Sequence, residues 1–357
     1  MKNINSFQYN TFIWFILRAG FLELTLTSIL YNVKEDSYIA AIIGTILGII
    51  PLFILEYLKN KCPKDNLITL NKKLFKSRLI NIIILIGSLI INVATFWILI
   101  HFANSLFLYK TSLWIISLVL IIPIYYTSSK GMHVIAKVSQ LLFYISVILN
   151  ILIMTGLTGE INLNNINPIM RSKPDKLLLS SVLFTSLNTS KLFFLSIIPK
   201  NKITNYNSKK NIIAYILTCI NLIDITLSII CIFGIDLTLL YEYPAFQILK
   251  RVNILGVLDR LETILSVEAI LSLFINLTII TYYIDSIIKK EIKKISKYSL
   301  PLICTFTYIF SNILFKTYQS GEAFISNQMI YIFVIICIII PLITLFKFIK
   351  NPKIVKK

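Results

Sequence analysis

Charged side chains are scarce in this sequence. Asp, Glu, Lys and Arg together make up only 14% of its 357 residues, whereas 57% are hydrophobic. A soluble globular protein carries about 25% charged residues. Long apolar stretches with few charges recur along the whole chain. These features exclude an ordinary soluble domain and predict a polytopic membrane protein with an all-α fold.

Acidic residues, histidines and cysteines are also few. The chain has 16 acidic residues against 35 basic ones, and only two histidines. The five cysteines are scattered without a CxxC pair, so neither a metal site nor a disulfide framework is predicted. The motifs GxxxxGK[ST], GxGxxG, HExxH and GxSxG are absent from the sequence. We therefore predict that the protein is not an enzyme and needs no cofactor.

Ten apolar segments are predicted to cross the membrane, whose hydrocarbon core of ~30 Å needs about 20 helical residues. They are residues 11–31, 37–57, 79–106, 112–127, 134–157, 177–199, 211–234, 256–284, 299–316 and 328–349. We number them spans one to ten. The whole chain, 1–357, is predicted to form a single membrane domain with repeat halves at about 1–157 and 177–349.

Basic residues concentrate in alternate connections between these spans. One set of connections, with the chain ends, carries 24 Lys and Arg residues, and the opposite set carries 8. Cytoplasmic loops are enriched in Lys and Arg, so this asymmetry predicts that both termini are cytoplasmic. The net charge of +19 then reflects membrane topology and does not predict a nucleic-acid partner.

Span one is interrupted by polar residues. A straight helix would place Arg18 and Glu23 about 140° apart, and Gly20 permits a break that frees backbone groups for a ligand. Span six corresponds to it in the second half and is interrupted too, which indicates an inverted-repeat transporter fold with broken helices one and six. We predict a ligand site at Arg18, Ala19, Gly20, Phe21 and Glu23. The alternative is that Arg18 and Glu23 pair with other helices.

Polar residues in span six form one stripe. Ser181, Thr185, Asn188 and Lys191 follow the spacing i, i+4, i+7 and i+10, so the stripe should face the interior of the bundle. Thr185, Asn188 and Lys191 are predicted ligand contacts, with Lys191 as a fixed cation. The alternative is a hydrogen-bonded seam between helices.

Two further polar residues complete the predicted site. Asn92 in span three and Glu268 in span eight lie on polar faces of their helices. A carboxylate inside a membrane must be neutralised or paired. Glu268, like Asp224 in span seven, could therefore relay protons or form a structural pair with Lys191 or Arg18.

The most distinctive motif lies before and at the start of span eight. Tyr243 and Pro244 open a short amphipathic piece with the pattern YP-x-FQ, and a DRLE block containing Asp259, Arg260 and Glu262 opens the span. This pattern resembles the B subunit of bacterial spore germinant receptors, in the amino acid-polyamine-organocation transporter superfamily. The family usually has Glu where this chain has Asp259. It also often has Trp near the position of Glu268.

The resemblance implies a subunit that binds a small nutrient, typically an amino acid, in a pocket between spans one, six, three and eight. Its implied partners are a large A subunit and a lipoprotein C subunit, in the inner membrane of a dormant spore. Two alternatives remain open: an amino-acid or polyamine permease of the same superfamily, and a non-binding membrane scaffold subunit. The piece at Tyr243 should pack across the mouth of the bundle, with Arg260 paired to Glu262 or Glu242.

Overall fold

The computed structural model describes residues 3–20, 25–251, 262–315 and 318–352. Seven helical runs of these residues are long and apolar enough to cross a membrane. They are Leu26–Lys61, Leu79–Leu106, Met132–Glu160, Pro174–Ile197, Ser208–Leu240, Ser266–Glu291 and Ser320–Lys350. Leu113–Ser129 and Ser299–Leu314 are shorter apolar helices. The predicted all-α membrane fold is confirmed.

Within the described residues, each predicted span coincides with one helix or with consecutive helical pieces. The α-helices are α1 (Ser6–Gly20), α2 (Leu26–Val33), α3 (Ser37–Lys61), α4 (Leu67–Phe75), α5 (Leu79–Leu106), α6 (Leu113–Ser129), α7 (Met132–Leu157), α8 (Pro174–Leu187), α9 (Ser208–Leu240), α10 (Pro244–Gln247), α11 (Glu262–Glu291), α12 (Ser299–Leu314), α13 (Tyr318–Phe324), α14 (Ile330–Phe333) and α15 (Ile340–Lys350). Span two is α3, span three α5, span five α7, span seven α9 and span eight α11. The C-terminal span includes π-helical turns at Ile325–Met329 and Val334–Ile339.

Span six changes its winding in the middle. α8 begins with Pro174, a residue that suits the first helical position because its missing N–H is not needed there. After Asn188 the chain continues as a 3₁₀ helix, Thr189–Ile197, of nine residues. Runs of 3₁₀ helix longer than three or four residues are uncommon because the hydrogen-bond geometry is poorer. The interruption predicted for this span is therefore present.

Span one consists of α1 and α2, and residues 21–24 between them, which include Phe21 and Glu23, lie outside the described residues. α1 contacts the 3₁₀ helix of span six, and α2 contacts α8. The first piece of one span thus packs against the second piece of the other. This crossed pairing shows that spans one and six run antiparallel to each other.

Spans two and six approach each other closely at a glycine. A Cβ atom added to Gly44 of α3 would lie 2.8 Å from Cβ of Phe184 and 2.9 Å from the carbonyl oxygen of Ser181. Small residues at such positions let helix backbones come together in a membrane, where dispersion contacts and hydrogen bonds drive packing. The side chain of Thr185 uses this proximity to donate a hydrogen bond to Gly44 O at 2.9 Å.

Span seven is longer than predicted. The segment ended at residue 234 in the sequence interpretation, but α9 continues to Leu240 past a kink at Gly234, where φ is +67° and ψ is 170°. Only glycine adopts this conformation readily. The loop between spans five and six donates two hydrogen bonds to Cys231 O, from Asn162 N at 3.2 Å and from Asn165 Nδ2 at 2.7 Å. These donors satisfy the carbonyl that the kink frees, so the helix resumes.

The lysine-rich connections lie at one end of the bundle, which we call the lysine-rich end. Here strand β1 (Ile4–Asn5) pairs in parallel with β2 (Ile203–Thr204), tying the N-terminal segment to the chain just after span six. Lys59 Nζ also donates to Tyr9 Oη at 2.6 Å and to Leu195 O at 2.9 Å. Spans one, two and six are therefore joined by polar contacts at this end.

Candidate functional site

A cavity lies towards the opposite end of the bundle, between spans one, three, five, seven and eight. It leaves about 80 Å³ for the centres of water-sized groups, and one water needs about 10–15 Å³ by this measure. The space therefore admits roughly five such groups. Its polar or charged lining residues are Arg18, Thr27, Asn150, Asp224, Ser228, Glu242, Ser266 and Glu268.

A buried ion pair stands at this cavity. Arg18, in the last turn of α1, is 2% exposed, and Glu268 of α11 is 3% exposed. Arg18 Nη2 donates to Glu268 Oε2, and Arg18 Nη1 donates to Asn221 Oδ1. The Arg18 guanidinium also lies 5.0 Å from the ring centroid of Trp14, at a distance suited to a cation–π contact. Helices α1, α9 and α11 thus meet at one cation.

Two side chains of α7 join the hydrogen-bond network of this ion pair. Ser146 Oγ donates to Glu268 Oε1 at 2.6 Å, and Asn221 Nδ2 donates to Asn150 Oδ1 at 2.8 Å. Removing one member of a buried ion pair strands the other charge and costs about 3–5 kcal/mol. The network therefore couples four helices through groups that cannot be changed singly without a large penalty.

Aromatic side chains cover one side of the cavity. α10 begins with Pro244. Tyr243, just before the helix, and Phe246, inside it, are both buried. The Phe102 ring makes edge-to-face contacts with Tyr243, at 5.3 Å between centroids, and with Phe246, at 6.5 Å. Such contacts stabilise by about 0.5–1.5 kcal/mol beyond area burial. The Tyr-Pro segment is thus packed across the cavity.

Acidic groups outnumber basic groups around the cavity. Among the described lining residues, Arg18 is opposed by the carboxylates of Glu268, Asp224 and Glu242. Glu242 lies outside the membrane-spanning helices. Partial burial raises its pKa from the ordinary value, and the nearby carboxylate of Glu322 raises it further. The site therefore favours a group that brings positive charge, such as an ammonium.

Of the ten predicted ligand residues, the structure brings Arg18 and Glu268 together at this cavity. Ala19 is fully buried beside Arg18, and Gly20 ends α1. Ala19 is not among the described residues that line the cavity. The alternative kept open from sequence, a pair between Glu268 and Arg18, is the arrangement that forms. The pocket was expected between spans one, three, six and eight, whereas this cavity lies between spans one, three, five, seven and eight.

The other predicted polar residues take part in contacts between helices. Asn92 Nδ2 donates to Thr307 Oγ1 at 2.9 Å, and Asn92 Oδ1 accepts from Thr281 at 3.4 Å. Thr185 bonds to the backbone of span two, as described above. Both residues therefore form hydrogen-bonded contacts between helices, and neither is among the described residues that line the cavity.

Asn188 and Lys191 lie at the interruption of span six. Both are fully buried, and the Asn188 side-chain nitrogen and oxygen have no hydrogen-bond partner in the described residues. Lys191 Nζ lies 5.3 Å from the ring centroid of Phe333. The expected interior placement of the stripe is thus present, at a location separate from the cavity.

Sequence reasoning missed the contribution of span five. Ser146 and Asn150 are polar residues four positions apart inside an apolar segment, so they share a helix face. That spacing was the signal that could have identified them. Of the DRLE block, Asp259 and Arg260 lie outside the described residues, as does the predicted pairing of Arg260. Glu262 begins α11.

Comparisons with known proteins point in one direction. A family model described as spore germination protein matches residues 3–320. The chain is 23% identical over 237 residues to a Bacillus subtilis (strain 168) protein described as "Putative spore germination protein YfkT". That match covers 66% of this chain and 65% of the relative, slightly under two thirds of its length. This chain is also 23% identical over 298 residues to the spore germination protein YndE of the same strain. That match covers 82% of this chain and 80% of YndE.

Proposed function

The chain belongs to the spore germination protein family, and from that premise we propose that it is the nutrient-sensing membrane subunit of a spore germinant receptor. It binds a small amino acid and acts with A-type and C-type receptor subunits in the inner spore membrane. Both termini face the cytoplasm, so the cavity opens towards the outer side. The lysine asymmetry supports this orientation.

The observation that carries the proposal is the buried Arg18–Glu268 pair beside a small cavity. Ionisable groups inside a membrane are costly and are found where function needs them. A packing role alone would not require a cavity next to the pair. This combination favours a ligand-binding subunit over a non-binding scaffold.

The chemistry of the lining residues suits an amino acid. A ligand carboxylate would compete with Glu268 for the Arg18 guanidinium, because bidentate guanidinium–carboxylate pairing is strong and directional. A ligand ammonium would be attracted by Asp224 and Glu242. Space for roughly five water-sized groups suits the smallest amino acids.

Binding would be transmitted through the helices that share the network. Replacing Glu268 as the partner of Arg18 changes contacts of α1, α7, α9 and α11 together. A ligand shifts a conformational equilibrium only through such differential contacts. The proposed signal is therefore a rearrangement of these four helices, felt by the partner subunits.

A cavity-filling variant tests the proposal. Ala269 is 7% exposed and lines the cavity, whereas Val267, two residues earlier, is 39% exposed. We expect Ala269→Leu to raise the amino-acid concentration for half-maximal germination by about tenfold, which corresponds to about 1.4 kcal/mol. The measurement is loss of optical density of spores exposed to single amino acids, beginning with glycine and alanine.

The control is Val267→Leu, which should leave the dose–response curve unchanged. Subunit abundance in spore membranes is measured by immunoblot for both variants. An unchanged curve for Ala269→Leu at normal abundance would contradict ligand binding in this cavity.

A permease is the second candidate, because interrupted spans one and six also suit alternating access. Uptake of a radiolabelled amino acid by the purified chain in vesicles separates the two functions. Uptake that saturates and is lost in Ala269→Leu would favour transport. Binding without uptake would favour sensing.

A further inference from the structure

A second open space lies at the lysine-rich end, where the end of α3 meets the end of α15. It measures about 520 Å³, within the range of roughly 300–1,000 Å³ typical of ligand sites. The lining residues used below are Tyr57, Lys61, Lys64, Asp65, Phe348 and Ile349. We call this space the α3–α15 groove. It is remote from the cavity described above and independent of the proposed function.

The groove carries uncompensated positive charge. Lys61 and Lys64 are exposed, and no ion pair within the described residues includes either of them. The carboxylate of Asp65 is already paired with Lys73 at 2.7 Å. Lys61 Nζ lies 5.7 Å from the Tyr57 ring centroid, so its charge is held at the groove wall. The ligand that matches this lining is an anion.

Apolar stripes lead from the groove along both helices. On α3, Ile46, Ile50 and Phe53 are exposed and continue at helical spacing to Tyr57 and Lys61. The eleven steps along the helix from Ile50 to Lys61 rise about 16 Å. That length is close to one leaflet of the hydrocarbon core, about 15 Å.

The C-terminal helix has a matching stripe. Ile343, Phe346 and Ile349 are exposed and follow one another at intervals of three residues. α15 contacts α3, so the two stripes run side by side into the groove. An anion with long apolar chains fits this layout, whereas an acidic protein segment would use only the charged part.

We propose that the α3–α15 groove binds one anionic phospholipid. Lys61 and Lys64 contact the headgroup phosphate, and the acyl chains lie along the stripes of α3 and α15. Basic pockets between membrane helices are known to hold anionic headgroups in this way. The bound lipid would join span two to the last helix at a place where protein contacts leave an open space.

Native mass spectrometry of the purified full-length chain tests this assignment. The chain is titrated in detergent with phosphatidylglycerol or with phosphatidylcholine. We expect one phosphatidylglycerol to bind with at least tenfold preference. Lys61→Gln combined with Lys64→Gln should weaken that binding by about thirtyfold, since each lysine near an anionic headgroup contributes about fivefold.

The matched control is Lys293→Gln with Lys294→Gln, two exposed lysines of the same end that lie outside the groove. This control should bind phosphatidylglycerol within twofold of the unaltered chain. Circular dichroism confirms that both double variants keep their helices. Equal binding of the two lipids, or equal loss in both double variants, would overturn the assignment.

Two competitors separate the lipid from other anions. sn-Glycerol 3-phosphate has the headgroup chemistry without chains and should not displace phosphatidylglycerol. A poly-glutamate peptide should not displace it either. Displacement by glycerol phosphate would show that the groove holds a free phosphate compound, and displacement by the peptide would show a docking site for acidic protein segments; either result overturns the lipid proposal.

Discussion

Two carboxylates at the lysine-rich end, those of Asp65 and Asp285, have lysine partners, whereas near the cavity Glu242 lies close to another carboxylate. Asp65 pairs with Lys73, and Asp285 pairs with Lys289, each at 2.7 Å. Near the cavity, Glu242 instead lies close to Glu322. The lysine partners offset the negative charges of Asp65 and Asp285, whereas partial burial and the proximity of Glu322 disfavour the ionised form of Glu242.

The same contrast holds for packing. At the lysine-rich end, Lys59 and β1 fasten spans one, two and six together. Near the cavity, one ion pair and an aromatic cover surround open space. The proposed function uses this difference: spans one, two and six are fastened at the lysine-rich end, and the ligand would enter from the cavity end. Sites that need to change are drawn from less stabilised regions of a protein.

The largest expected effect comes from breaking the pair at the cavity. Glu268→Ala leaves the Arg18 charge buried without its carboxylate, and we expect the free energy of unfolding to fall by about 3–5 kcal/mol. Thermal unfolding of the purified chain and its abundance in the membrane measure this loss.

The informative control for that variant is the double substitution Arg18→Leu and Glu268→Leu. Replacing both charges by apolar groups is often neutral for stability, so abundance should recover while the response to nutrient stays lost. Recovery of the response would mean that the pair is structural and that the ligand site lies elsewhere.

An intermediate effect is expected at the lysine-rich end. Lys59→Met removes the donor to Tyr9 and to Leu195 O, and hydrogen bonds to charged groups contribute about 1.5–3 kcal/mol. The unfolding midpoint should fall, and spores should germinate at lower nutrient concentration because the closed end is loosened. Lys210→Met, an exposed lysine of the same end, should change neither quantity. Weakened stability without increased sensitivity would argue against a closing role for Lys59.

The smallest effect concerns the acidic groups near the cavity. The pKa of Glu242 is raised in the folded state, so the folded protein holds its proton more tightly than the unfolded chain. Protonated Glu242 therefore favours the folded state more than ionised Glu242 does. This contribution to the free energy of unfolding is fully present below the ordinary Glu pKa and is lost as the pH rises through the raised value. Glu242→Gln should raise the unfolding midpoint slightly at neutral pH and leave it unchanged at pH values below the ordinary Glu pKa. A shift of equal size at both pH values would point to a cause other than titration.

Sequence alone predicted the spans because hydropathy and lysine placement are read directly along the chain. The interruption near Asn188 also followed from local composition. The partner of Glu268 could not be predicted from local composition, because Arg18 is 250 positions away. The choice between Arg18 and Lys191 depends on how whole helices are rotated in the bundle. The continuation of α9 beyond Gly234 was missed for a similar reason, since the donor Asn165 comes from a distant loop.

The 3₁₀ winding in span six determines how far this span reaches along its axis. Nine residues, Thr189–Ile197, rise about 2.0 Å each as a 3₁₀ helix, which gives about 18 Å. The same residues wound as an α-helix would rise about 1.5 Å each, or about 13–14 Å. A change of winding would therefore alter the reach of this span by about 4.5 Å, somewhat less than the rise of about 5.4 Å in one α-helical turn. Because β2 follows it and pairs with β1, that displacement would be passed directly to the N-terminal segment.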